Sequence, residues 1–138
     1  MATNAVFVAA MQALTITGVT RHYDEPPGSV QTADLPCAFP HMPQGGLGEK
    51  SLSCWDSNKV RSMDFVILIE PVGQGTQAQN YGAIAALMDN LEAKLDDLEL
   101  SQGGTLANFL EYDIGAQIVT LGQNDYWGIV ANVRARDV

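Results

Sequence analysis

Apolar residues between positions 76 and 100 recur at intervals of three and four: Tyr81, Ile84, Met88, Leu91, Leu95 and Leu98. That spacing draws one continuous stripe on an α-helix. Ala83, Ala85, Ala86 and Ala93 add strong helix formers and no proline interrupts, so the pattern predicts a helix over 76–100. At ~1.5 Å per residue it is roughly 36 Å long, enough to cross a small domain. Its other face carries Asp89, Glu92, Asp96, Asp97 and Glu99 against a single Lys94. These acids crowd the last turns, where the helix macrodipole disfavours negative charge. Such a placement is either an ordinary solvated face or a surface kept acidic for a purpose.

Elsewhere the period falls to two. Over 61–71, Met63, Phe65, Ile67 and Ile69 point one way and Asp64, Val66, Leu68 and Glu70 the other. This predicts a strand whose second face is apolar at its centre and charged at its ends. Segments 112–121 and 126–136 alternate similarly, with Ile114, Ala116 and Ile118 on one face of the first. Trp127, Ile129, Ala131 and Val133 share one face of the second. Gly122-Gln123-Asn124-Asp125 between them is turn chemistry, which predicts an antiparallel hairpin. Near the start, Thr3 or Asn4 can cap a short helix over 3–14 with Val6, Phe7, Ala10, Met11 and Leu14 on its apolar side. Gly18 closes it, and 19–23 reads as a short strand. A helical turn is expected over 105–110.

Residues 26–59 break all of these periods. They hold Pro26, Pro27, Pro36, Pro40 and Pro43 with Gly28, Gly45, Gly46 and Gly48. A connection this long in a small domain usually serves a function or lacks fixed order. A few extended residues are expected near 36–42 and 50–55, within one or two arms or hairpins that project from the body. The whole reads as α+β: a mostly antiparallel sheet of about four strands, one long and one short helix on one face, and a Pro/Gly-rich arm.

Composition narrows the function. The 138 residues suit a single domain spanning 1–138, and 46% hydrophobic with 17% charged residues argues against global disorder. Sixteen acids against seven scattered Lys and Arg give a net charge of −9, which speaks against direct binding of nucleic acid. The start lacks a basic segment before a long apolar run, and no stretch approaches the ~20 apolar residues of a membrane span. Cys37 and Cys54, without a secretion signal, are expected to be free thiols of a cytosolic protein. The sequence does not exclude a disulfide between them.

Candidate chemistry is sparse. His22 and His41 with Cys37, Cys54, Asp24 and Glu25 match no metal-ligand spacing. Cys37 beside a histidine in composition is not a nucleophile–base motif. Gly73-Gln74-Gly75-Thr76 before the long helix outlines a phosphate cradle but lacks the lysine and glycine spacing that such cradles use. Nothing reads as an active site, and the expectation is a non-enzymatic protein without cofactor or metal. Trp127 on its strand suits a core. Trp55, inside the polar loop Ser53–Asn58, suits an interface.

The element order, size, acidity and the hairpin ending Asp125-Tyr126-Trp127-Gly128-Ile129 together resemble the tail terminator proteins of long-tailed bacteriophages. So does the opening helix followed by Gly18-Val19-Thr20-Arg21-His22-Tyr23-Asp24-Glu25-Pro26-Pro27. The resemblance spans nearly the whole chain and rests on architecture rather than a diagnostic motif. It implies a structural virion protein of the tail and neck, assembled in the cytoplasm of a bacterial host. Such a protein forms a ring, typically a homohexamer, that caps the tail tube, ends its polymerisation and joins it to the head–neck connector. DNA crosses its lumen at ejection. On that reading Pro26, Pro27, Leu35, Phe39 and Trp55 are expected at subunit or partner contacts, and Asp89, Glu92 and Asp96 on an acidic lumen wall that repels passing DNA. Two alternatives stand beside it: another phage neck, head-closure or tube-associated protein, or a small cytoplasmic ligand-binding or enzymatic α+β domain.

Overall fold

Three strands of 13 residues carry the sheet: β4 (Lys59–Pro71), β5 (Phe109–Leu121) and β6 (Asn124–Arg136). The computed structural model describes residues 4–41, 49–50, 59–72, 77–101 and 109–136. Its remaining elements are α1 (Asn4–Gln12), β1 (Arg21–His22), a 3-10 turn (Thr32–Asp34), β2 (Cys37–His41), β3 (Glu49–Lys50) and α2 (Gln77–Ser101). The sheet is mixed, in the order β1-β2-β4-β6-β5, with β3 paired to the start of β4. Only β1 and β2 run parallel; every other pair is antiparallel. The class is thus α+β, with both helices on one face.

The hairpin turn is tighter than the four residues that its composition suggested. Gly122 and Gln123 alone make it, and Gly122 takes a φ of +63°. A positive first dihedral with glycine is what a two-residue turn matched to strand twist needs. The segment 105–110 is not a helical turn throughout, because Phe109 and Leu110 already belong to β5. β-Pairing with β6 along all 13 residues outweighs the weak local preference.

Alternation on β4 buries both of its faces. Met63, Phe65, Ile67 and Ile69 join Ile129, Ala131 and Val133 of β6 beneath the helices. From α2 come Ile84, Leu87, Leu91 and Leu95, and from the N-terminal segment Met11, Leu14 and Ile16. Each large side chain so buried stabilises the fold by about 1.5–3 kcal/mol over leaving it exposed. The helix stripe is therefore rotated slightly from the expected one. Leu87 is in, whereas Tyr81 is 59% exposed. Asn90 Nδ2 donates to the Thr17 carbonyl at 2.7 Å on one flank of α2. Gly18, with φ +95°, lets the backbone pass Leu87, whose Cδ2 would lie 3.1 Å from an added Cβ.

On the far face Cys37, Phe39, Val66, Leu68 and Tyr126 form a second cluster. Tyr23, Val30 and Leu35 close over it from the connection between β1 and β2. The expected projecting arm over 26–59 is thus corrected in part: its first third lies back on the sheet, and Cys37–His41 enters the sheet as β2. Apolar residues on both sides of β2 drive this, since Cys37, Ala38, Phe39 and Pro40 are all buried. Pro40 is tolerated because β1 pairs only with Cys37 and Ala38, which leaves the outer side of position 40 an open edge.

Candidate functional site

The acids singled out on the long helix fall on one flank of α2. Spacings of three and four put Asp89, Glu92 and Asp96 on one side, and continue back through Ala85 to the exposed Tyr81. Asp89 and Asp96 are exposed and Glu92 half-buried. Asp96 Oδ1 accepts the Tyr112 hydroxyl at 2.8 Å, so this flank leans over β5, the last strand of the sheet. The acidic surface and the β5 edge therefore border each other.

Among the described residues, the expected contact residues differ in exposure. Pro26 is exposed, Pro27 and Leu35 are half-buried, and Leu35 already packs on the second cluster. Phe39 is 3% exposed and packs in the protein's own core, because odd positions of β2 face Val66 and Leu68. Trp55 lies outside the described residues. The loop is latched at its end. Arg21 approaches Asp34 at 3.6 Å and stacks 4.9 Å over the Tyr23 ring, whose hydroxyl donates to Asp34 at 3.5 Å. Burial raises the Tyr23 phenol pKa, a shift that Arg21 opposes and Asp34 reinforces.

Between α1, the start of that loop and the end of β2 lies a cleft of about 320 Å³. Gln12, Asp24, Glu25 and His41 give it polar groups, and Val8, Pro26, Pro40 and Met63 give it apolar walls. Gln12 Nε2 donates to the Asp24 carbonyl at 3.1 Å, holding the loop against α1. The sequence lists these residues without bringing them together; a contact between helix and loop has no local signature. Among the described residues no group of three or more His, Cys, Asp or Glu side chains is placed to hold a metal. His22 turns away from the cleft: its Nε2 accepts the Ile16 amide at 2.9 Å, and burial lowers its pKa. Cys37 is a free, buried thiol whose pKa is pushed up to about 11 by burial and the nearby Asp34, against a hydrogen bond from the Leu68 backbone. A thiol so held is a weak nucleophile at neutral pH.

One polar row crosses the far face. His41, Asp64, Asn132 and Asp113 stand opposite one another on four adjacent strands. Asn132 Nδ2 donates to Asp64 at 2.9 Å and its Oδ1 accepts Arg134 at 2.5 Å. Arg134 also binds Asp113 at 2.9 Å and approaches Glu111 at 3.8 Å. The acids of β5 are thereby matched by a cation on β6. Among the described residues no helix is long and apolar enough to cross a membrane. The chain matches no protein-family model, and no curated protein matches it either.

Proposed function

We propose that this protein is a structural component of a phage virion, a ring that caps the tail tube, ends its polymerisation and joins it to the head–neck complex. The acidic flank of α2 carries the reading. Asp89, Glu92 and Asp96 share one side of a 25-residue helix, two of them exposed, in a chain of net charge −9. Turned toward a lumen, that flank repels DNA phosphates and keeps the duplex from adhering during transit. Pro26 and its neighbours Pro27 and Leu35, on the covering loop, supply subunit contacts. The ring is a homohexamer, its partners are the tube protein and the neck connector, and its role needs no catalytic group or cofactor.

Electron microscopy of tail tubes mixed with the purified protein tests this. Six-fold caps at one tube end and a halt in tube growth are expected; bare ends with unchanged tube lengths overturn the reading. In the cap, the combined Asp89→Asn, Glu92→Gln and Asp96→Asn variant is expected to assemble normally but slow DNA ejection. A second reading, a small ligand-binding or enzymatic domain, draws on the cleft at Asp24, Glu25 and His41. A rise in melting temperature with a small cationic metabolite, abolished by Glu25→Gln, favours it.

A further inference from the structure

Among the described residues the outer edge of β5 lacks the usual protection of a strand edge. Sheets blunt their edges with lysine, proline, bulges or short strands. β5 runs 13 residues in unbroken register with β6, and its sequence contains neither lysine nor proline. Among the described residues no strand pairs with its other side. The two-residue turn closes on the pair Leu121 and Asn124, which exchange their hydrogen bonds. Alternation then sends the odd positions of β5 to β6, and turns the amides of Ile114, Ala116, Ile118 and Thr120 outward. Ile118 is 50% exposed beside them.

We propose that this edge pairs with the same edge of a second copy, antiparallel, to form a two-fold dimer with one continuous sheet. The charge pattern of the strand admits a second copy as the partner, and the geometry of the edge sets the direction. Its only charges, Glu111 and Asp113, lie in the first half and on the face away from the helices. Antiparallel pairing centred on Ala116 sets Asp113 opposite Val119 of the second copy and Glu111 opposite its Leu121, so no like charges meet. A parallel pairing of the two like edges must slip by one residue and turn the second copy over, which sets the helix face of one copy beside the far face of the other and breaks up the joined helix layer. The same centre puts Ile114 opposite Ile118 of the second copy, twice by symmetry, and covers the exposed isoleucine. The acidic flanks of the two α2 helices then face each other across the joint, so added salt tightens the dimer.

A two-fold contact closes with two copies. It is therefore separate from a six-fold ring contact, and it stands or falls independently of the tube-capping reading. Light scattering on the full chain over a range of concentrations, paired with residue-resolved amide exchange, tests it. A concentration-dependent dimer is expected, with the amides of Ile114, Ala116, Ile118 and Thr120 slowing as it forms. Ile118→Lys leaves the circular dichroism unchanged but weakens the dimer by about tenfold, as two cross-strand pairs of ~0.7 kcal/mol are lost. Ala116→Pro removes one outward amide at the centre and is a second disruptor. A protein that stays monomeric, an assembly of any size in which the even amides exchange as in the monomer, or an Ile118→Lys protein that pairs as tightly overturns the proposal.

Discussion

Phe65 and Phe39 sit on paired strands, one position out of step, and point to opposite sides of the sheet. Both are nearly inaccessible, at 1% and 3% exposure. Phe65 lies under α2 and α1, whose backbones satisfy their hydrogen bonds within each helix. Phe39 lies under a connection whose only regular piece is the 3-10 turn Thr32–Asp34. The same apolar burial is thus reached by a helical lid on one face and by an irregular chain, ordered without a regular hydrogen-bond ladder, on the other. Ordering each such residue costs roughly 1–2 kcal/mol of backbone entropy, so the loop-covered side is expected to open first.

Truncating the two rings sharpens that contrast. Phe65→Ala is expected to cost about 3–5 kcal/mol, since rigid neighbours leave the cavity open. Phe39→Ala is expected to cost about 1 kcal/mol less, because the loop can settle into the space left. Urea denaturation measures both, and equal losses would show that the loop is as stiff as the helices. Gly128→Ala acts between the two faces. Its new Cβ meets the Ile67 carbonyl at 2.8 Å and Val119 Cγ2 at 3.0 Å, close to the bulge between Leu68 and Glu70. A loss of about 1–3 kcal/mol in the same assay is expected from this overpacking.

The smallest effect is a dependence on pH from the helix side. His22 must stay neutral to accept the Ile16 amide, and burial lowers its folded pKa below the ordinary 6.5. The unfolded chain therefore takes up the proton first. The contribution of His22 is present above about pH 6.5 and is lost as pH falls through the lower folded value. Melting temperatures between pH 7.5 and 5 should fall more for the native protein than for His22→Gln. Parallel curves would remove His22 from the account.

What was legible in the sequence follows the same division between the faces. α2, β4, β5 and β6 carry long periodic signals, and they appear within a few residues of the expected bounds. Tyr81 was misplaced because an aromatic at helical spacing looks apolar, whereas its position faces away from the sheet. β2 shows in the sequence only as the few extended residues expected near 36–42, since five residues with a proline are a weak strand signal. Its place comes only from pairing with β4, a contact between distant parts of the chain. The candidate surfaces divide likewise. The acidic flank is a helical repeat and can be counted along the sequence. The cleft at Gln12, Asp24 and His41 joins three separate segments and cannot.

The position of β6 has a bearing on how the molecule is made. It lies between β4 and β5, yet in sequence it follows both, and all of α2 separates it from β4. While the chain leaves the ribosome, β4 therefore presents Met63, Phe65 and Ile67 with one edge vacant through the synthesis of α2 and β5. Local hairpin closure brings β6 to β5 first, and the pair must then dock on β4 as a unit. Until that step the nascent chain keeps an unpaired strand edge and its apolar face open to solvent.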